Sequence, residues 1–104
     1  MQLAPNDNGF FITKNLIAAY YQNNDLDSIE RMIVPKLNVN DIDPVMLGFY
    51  SYVLLTKGKD EDAQKFFLKA KEKGLTRKRL SLFVNYKKVL DEFIEKLKPL
   101  GSLD

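Results

Sequence analysis

Three residue types that carry much of protein chemistry are missing from this sequence, which has no cysteine, no histidine and no tryptophan. Without cysteine there is no disulfide framework of the kind that small secreted domains use, which favours an intracellular, cytoplasmic location. Without histidine and cysteine the chain lacks the commonest general base, the commonest nucleophile and the soft metal ligands. We therefore expect a protein that is not an enzyme and that uses no metal or other cofactor.

Glycine is scarce and scattered, so no glycine-rich loop is available to hold a phosphate group. Residues 38–43 carry oxygen-bearing side chains at alternating positions, as calcium-binding loops do. They lack the glycine that such a loop needs at its sharp turn and the late glutamate that binds the ion through two oxygens. We interpret this segment as a polar turn followed by a helix cap.

Long apolar runs and a large excess of charge are also missing. The longest apolar runs span a few residues, such as 53–55, whereas a membrane-spanning helix needs about 20. Residues 1–9 have no basic start and no apolar stretch, so they form a polar lead-in and not a signal peptide. The formal net charge of +2 on 104 residues does not by itself indicate binding to nucleic acid or to an anionic membrane.

Helix signals are frequent, while no stretch of four to eight residues alternates as a strand would. The apolar spacing predicts five helices in one domain of residues 10–98, followed by a tail of residues 99–104. The predicted helices cover about residues 10–22, 26–37, 44–57, 61–73 and 76–98. The third is apolar almost all round, which is typical of a helix packed between neighbours on both sides. The fifth is the longest, and its apolar seam consists of Phe83, Tyr86, Leu90, Phe93 and Leu97.

Short side chains and glycines mark the ends of these helices. Asp and Thr accept hydrogen bonds from the first backbone N–H groups of a helix, and Pro is favoured as the first helical residue. Glycine ends a helix because it adopts left-handed geometry without strain. The predicted N-caps are Asp25, Asp43 (before Pro44), Asp60 and Thr76. The predicted stops are Gly58 and Gly74.

One pattern occurs twice, 34 residues apart. The segments that start at Leu16 and Tyr50 match in side-chain size and turn chemistry, although they do not match in residue identity. The aligned pairs are Tyr20 with Leu54, Asn24 with Gly58, Ile29 with Ala63, Met32 with Phe66, and Ile33 with Phe67. A helix–turn–helix unit with this period is the signature of helical solenoid repeats.

Over about residues 11–75 the chain resembles the tetratricopeptide family and its relative, the pentatricopeptide family. The second unit matches better, through Leu47, Tyr50, Leu54, Gly58, Ala63, Phe67 and Ala70. The first unit departs at Ile29, where a small residue is expected, and at Pro35 inside its second helix. The resemblance implies an all-α helical-repeat array of two helical hairpins plus a long C-terminal capping helix, with Phe67 buried between the hairpins.

The resemblance also implies a non-catalytic interaction module that binds a peptide or protein, as the sensor part of a larger protein does in some members. The concave face would be lined by the first helix of each unit. The candidate peptide-binding residues there are Lys14, Asn15, Tyr21, Ser51 and Tyr52. Amide, lysine and tyrosine side chains suit an extended peptide. The tyrosines equally suit ordinary core packing.

A basic cluster at residues 77–79 offers a second candidate site. Arg77, Lys78 and Arg79 would occupy the first turn of the fifth helix, where cations are electrostatically unfavourable. Such a cluster can indicate a phosphate or acidic partner, and pentatricopeptide proteins bind single-stranded RNA with one base for each repeat. Two repeats and a small net charge argue against RNA. Short charge clusters are also common on surfaces that bind nothing.

The long last helix raises a third interpretation, a structural oligomerisation domain. Solenoids usually contain three or more repeats, and this chain has two. The end of the fifth helix overruns one hairpin, which would leave Phe93, Ile94 and Leu97 exposed. We expect these side chains to contact another copy of the chain or the remainder of a longer solenoid, because exposed apolar patches usually mark interfaces.

Overall fold

The computed structural model of the chain describes residues 11–38, 42–84 and 86–103. These residues form six α-helices and one short 3-10 helix, and no strand, so the all-α class is confirmed. The predicted polar lead-in and the centre of the 38–43 loop lie outside the described residues. The helices are α1 (Phe11–Gln22), α2 (Leu26–Ile33), α3 (Pro44–Thr56), α4 (Asp60–Glu72), α5 (Arg77–Ser81) and α6 (Lys87–Leu97), with the 3-10 helix Val34–Lys36 directly after α2.

The turns after α1 and α3 have the same backbone structure. Asn24 and Gly58 both adopt positive φ, at 57° and 81°. The next residue of each turn donates its N–H to the carbonyl five residues earlier, at 2.8 Å and 2.9 Å. This pair of features is a helix C-terminus closed by a left-handed residue, and it occurs twice with a spacing of 34 residues.

Three of the four predicted N-caps are confirmed. Asp25 accepts from the Ser28 N–H, Asp43 accepts from the Val45 N–H, and Thr76 accepts from an N–H of α5. The prediction for Asp60 is wrong, because the N-cap of α4 is Lys59, which makes no side-chain capping bond. Helix α4 begins at Asp60, one residue earlier than predicted. Lys59 is the residue before it, and its N–H is bonded across the Gly58 turn to the Leu54 carbonyl.

The second helix is shorter than predicted. Its α-helical part ends at Ile33, and the chain continues through a 3-10 helix that contains Pro35. Proline has no N–H to donate and its ring crowds the preceding turn, so the regular hydrogen-bond pattern stops there.

Helix α3 is the centre of the fold. Every residue from Pro44 to Leu54 is buried, and α3 contacts α1, α2, α4 and α6. The prediction that this helix lies between neighbours is confirmed. A helix that is apolar on every face is removed from water only when neighbouring helices cover each face.

The predicted fifth helix, residues 76–98, is two helices separated by residues 82–86. The break turns Leu80, Phe83 and Val84 into the core together, since these side chains are 0%, 8% and 1% exposed. Tyr86, predicted in the apolar seam, is instead 68% exposed. The Ser81 hydroxyl donates to the Lys78 carbonyl at 2.6 Å, a local bond that competes with continuation of the helix.

Helix α6 folds back onto α1 and α3. Phe93 is completely buried, with its ring centroid 4.7 Å from that of Phe49, 5.0 Å from Tyr21 and 5.5 Å from Tyr52. Leu97 is also completely buried. Tilted and edge-on aromatic pairs at these distances are favourable beyond their buried area.

The expectation that the end of the last helix stays exposed is therefore wrong. Phe93, Ile94 and Leu97 are 0%, 9% and 0% exposed within a single chain. Because the break before α6 redirects this helix, its seam covers the chain's own first helix and central helix. The three side chains are consequently not available for the oligomer contact that the sequence suggested.

The packed structure continues beyond residue 98, where the sequence analysis ended the domain. Leu100 is 7% exposed, and its carbonyl accepts a hydrogen bond from the Gln64 amide at 2.8 Å. Gly101 passes so close to Phe67 that an added Cβ would lie 2.8 Å from the ring. The last described residues thus close over α4, and Phe67 is completely buried as predicted.

Candidate binding site

The face expected to form a peptide groove is covered by α6. Tyr21, Ser51 and Tyr52 are buried, at 8%, 0% and 7% exposure. The Ser51 hydroxyl donates to the Leu47 carbonyl at 2.8 Å, so it is satisfied inside α3. Of the five candidate residues, Asn15 alone is exposed. The open groove is absent at these positions because the chain fills it with its own last helix.

A lysine of α6 seals the edge of this covered face. The Lys96 ammonium donates to the Tyr21 hydroxyl at 3.3 Å and lies 5.3 Å and 5.6 Å from the ring centroids of Tyr21 and Tyr52. Burial raises the pKa of the Tyr21 phenol, and the hydrogen bond from Lys96 opposes that rise. The two tyrosines therefore act as core side chains with a polar edge, which is one of the two roles that the sequence allowed.

Lys14 lies about two helical turns before Tyr21 on α1, in a nearly buried ion pair. Its ammonium is 2.7 Å from the Asp43 carboxylate, and the two side chains are 11% and 13% exposed. The same ammonium lies 4.4 Å from the Phe83 ring centroid. Asp43 also caps α3 through the Val45 N–H at 2.8 Å. The Asp43 carboxylate thus joins α1 to the start of α3. The Lys14 ammonium also contacts Phe83 in the segment between α5 and α6.

The basic cluster divides into two parts. Arg77 forms an ion pair with Asp91 of α6, which Lys87 also contacts at 2.8 Å. Hydrogen bonds from Lys87 and then Arg77 hold the pKa of the Asp91 carboxyl below its usual value. Lys78 and Arg79 are exposed, and neither forms an ion pair within the described part of the chain. Within the described residues, the cluster therefore contains one cation in an ion pair, Arg77, and two exposed cations outside any ion pair.

These separate candidates meet at one cavity, which we call the basic pocket. It has a volume of about 410 Å³ and lies between the N-terminal ends of α1 and α3 and the segment that contains α5. Its lining residues are Lys14, Asp43, Val45, Thr76, Lys78, Arg79, Leu82 and Phe83. The sequence suggested a peptide groove for Lys14 and an anion site for Lys78 and Arg79, whereas the structure places all three around the same cavity.

The lining combines positive charge with apolar surface. Among the described residues that line the cavity, Lys14, Lys78 and Arg79 are opposed by one carboxylate, that of Asp43. Leu82, which is 66% exposed, adds apolar surface beside these charges. Sequence reasoning missed Leu82, because inside a continuous fifth helix it falls outside the seam and has no feature of a binding residue. The break between α5 and α6 is what brings it to the pocket.

Other kinds of site are not found in the ranges that the structure describes. No group of three or more histidine, cysteine, aspartate or glutamate side chains there is arranged to hold a metal ion. Among the same residues, no helix combines the length and the apolar character needed to cross a membrane. Comparison with protein-family models, with curated proteins and with solved structures gives no match to this chain.

Proposed function

We propose that this chain is a non-catalytic interaction module that binds a peptide or protein segment through the basic pocket. The observation that carries the proposal is that Lys78 and Arg79, which form no ion pair with any acidic side chain of the described residues, lie beside the exposed Leu82. Concave sites that join apolar surface to a few placed polar groups are the usual form of ligand sites. The site differs from the groove that the family resemblance suggests, since α6 occupies that groove.

The proposal includes a helical-repeat arrangement similar to that of tetratricopeptide and pentatricopeptide proteins. The two hairpins would be α1–α2 and α3–α4. Its support is the pair of identical turns at Asn24 and Gly58, together with the contacts that α3 makes to both helices of the first hairpin. In this arrangement α5 and α6 take the place of a capping helix.

Several contacts favour a peptide over single-stranded RNA. Proteins that bind RNA strands place bases on open aromatic faces along a positive groove. In the basic pocket the Phe83 side chain is 8% exposed and Lys14 lies over its ring, so no base has access to that face. Arg77 is occupied by Asp91. Two free cations give little of the phosphate neutralisation on which RNA affinity depends.

Selection from a random peptide library displayed on phage tests the proposal. The wild-type chain is the bait, and selected peptides are then measured against two charge-matched double variants. Lys78→Glu with Arg79→Glu changes the pocket, and Lys69→Glu with Lys88→Glu changes exposed lysines of α4 and α6. We expect peptides that bind the wild type and the control variant equally and the pocket variant at least about tenfold more weakly. Recovery of no peptide, or equal binding to all three proteins, would contradict the proposal.

A further inference from the structure

We infer that the ligand of the basic pocket is an acidic peptide segment in which an apolar side chain stands next to carboxylates. This inference rests on the proposed function and adds the chemistry of the partner. It follows from the charges that the pocket leaves unbalanced and from the one large apolar side chain that it leaves exposed.

The charges of the pocket favour a negative ligand over a positive one. Lys14 is neutralised at 2.7 Å by Asp43, and that pair is nearly buried. Lys78 and Arg79 remain, and no described acidic side chain pairs with either. A ligand with about two carboxylates would therefore balance the pocket, and one with extra positive charge would be repelled. Aspartate and glutamate side chains pair well with Arg because a guanidinium donates two parallel hydrogen bonds to a carboxylate.

The position of Arg79 supports direct contact with such a ligand. Its guanidinium runs beside Gly74, where an added Cβ would lie 3.6 Å from Cζ. Gly74 has φ of +104°, a conformation that other residues rarely adopt. The Arg79 head group therefore lies along the Gly74 turn and lines the cavity.

The apolar part of the ligand is indicated by Leu82. This leucine is 66% exposed, while the other apolar lining residues, Val45 and Phe83, are buried. An apolar side chain of the ligand that enters the cavity would cover Leu82 and remove its surface from water. The cavity of about 410 Å³ falls within the range of roughly 300–1,000 Å³ that is usual for ligand pockets. A purely charged ligand would leave this surface exposed.

The small number of cations helps to separate a peptide from a nucleic acid. Lys14 and Asp43 neutralise each other at 2.7 Å, so Lys78 and Arg79 are the lining cations left to meet a ligand. A nucleotide strand repeats a phosphate at every unit, so some of its charge would remain unpaired beside two free cations.

Titration with four defined probes, followed by nuclear magnetic resonance of the labelled chain, tests the inference. The first probe is a synthetic peptide in which one leucine is flanked by three carboxylates. In the second, amides replace the carboxylates, and in the third, alanine replaces the leucine. The fourth is a single-stranded RNA hexamer. We expect the first peptide to shift signals of Lys78, Arg79 and Leu82, with affinity at least about tenfold above the amide peptide and about three- to tenfold above the alanine peptide.

Two matched variants connect these differences to the pocket. Leu82→Gln should remove the preference for leucine over alanine, while Leu68→Gln, at a residue 52% exposed on α4, should keep it. Both residues are largely exposed, so neither change opens the core. Equal affinity for the acidic and amide peptides, or tighter binding of the RNA hexamer, would overturn the inference. If library peptides still depend on the pocket in that case, the proposed function stands and only the ligand chemistry is wrong.

Discussion

Phe67 and its neighbour Leu68 provide a direct test of packing at the residue scale. Phe67 is completely buried on α4, whereas Leu68 is 52% exposed one residue later. We expect Phe67→Ala to lower the free energy of unfolding by about 3–5 kcal/mol, because a large buried ring leaves a cavity when it is removed. Leu68→Ala should lower it by less than about 1 kcal/mol. Urea denaturation measures both, and similar losses would show that α4 packs in another register.

The cap of α2 supplies a prediction of pH dependence. The Ser28 hydroxyl and then the Ser28 N–H donate to Asp25 and hold the pKa of its carboxyl below the usual value. The folded chain therefore binds this proton less readily than the unfolded chain, so the contribution of Asp25 is present above the unfolded pKa and is lost as the pH falls through the folded pKa. We expect the stability of the wild type to fall more steeply from pH 5 to pH 2 than that of Asp25→Asn.

Asparagine is a suitable comparison at this position because it also caps helices but carries no titrating group. Urea denaturation at several pH values measures the free energy of unfolding of both proteins between pH 5 and pH 2. The same pH dependence in both proteins would mean that the bonds to Ser28 do not distinguish the charged carboxylate from the neutral one.

The predictions that succeeded for single residues depend on short-range chemistry. Asp25, Asp43 and Thr76 cap helices through bonds to residues two or three positions away, and such bonds are visible as local sequence patterns. The exposure of Tyr21 and Tyr52 depends instead on a helix more than 30 residues further along the chain. No local pattern shows which face α6 covers, so the peptide groove could not be distinguished from the core.

The paired turns at Asn24 and Gly58 are the feature to test at the scale of the element. Both residues have positive φ, and an added Cβ at Gly58 would meet no atom within 4 Å. We expect Gly58→Ala to lower the free energy of unfolding by about 1–2 kcal/mol, purely from backbone strain. Asn24→Gly should have the opposite sign, a gain below about 1 kcal/mol, because glycine adopts this geometry without strain. Thermal or urea unfolding distinguishes the two, and changes of the same sign would contradict the common turn structure.

The predicted helix bounds are correct where a capping residue, proline or glycine marks the end of the helix. Helices α3 and α4 begin and end within about a residue of the expected positions because Asp43, Pro44, Gly58 and Gly74 mark those ends. The segment after Thr76 has no proline or glycine before Pro99, so its apolar spacing predicted one continuous helix. The break at residues 82–86 follows from burial of Phe83 and Val84, which is a tertiary effect.

At the scale of the whole molecule, Phe93 connects the last helix to the first hairpin and the central helix. Its ring contacts Tyr21, Phe49 and Tyr52 and has no exposed surface. We expect Phe93→Glu to abolish cooperative unfolding at 25 °C, because a buried charge without a partner costs more than a small domain has in reserve. Circular dichroism during urea denaturation measures this.

A substitution at the adjacent residue tests whether the loss of stability is specific to Phe93 or follows from any change in α6. Glu92 is exposed, and Glu92→Gln should change the free energy of unfolding by less than about 0.5 kcal/mol. Phe93→Leu should remain folded with reduced stability. A folded, monomeric Phe93→Glu chain would contradict the structure and would return Phe93 to an interface between copies.

The central position of α3 has a consequence for the unfolded chain. This helix, Pro44–Thr56, has 13 residues and no charged side chain. Its valine, tyrosine and phenylalanine side chains also favour β-structure. When the domain opens, an uncharged segment of this kind becomes a site for aggregation between chains, and the nearest charges that flank it are Asp43 and Lys57. The residues of α3 that form the centre of the native core therefore also favour irreversible aggregation when the chain refolds slowly or at high concentration.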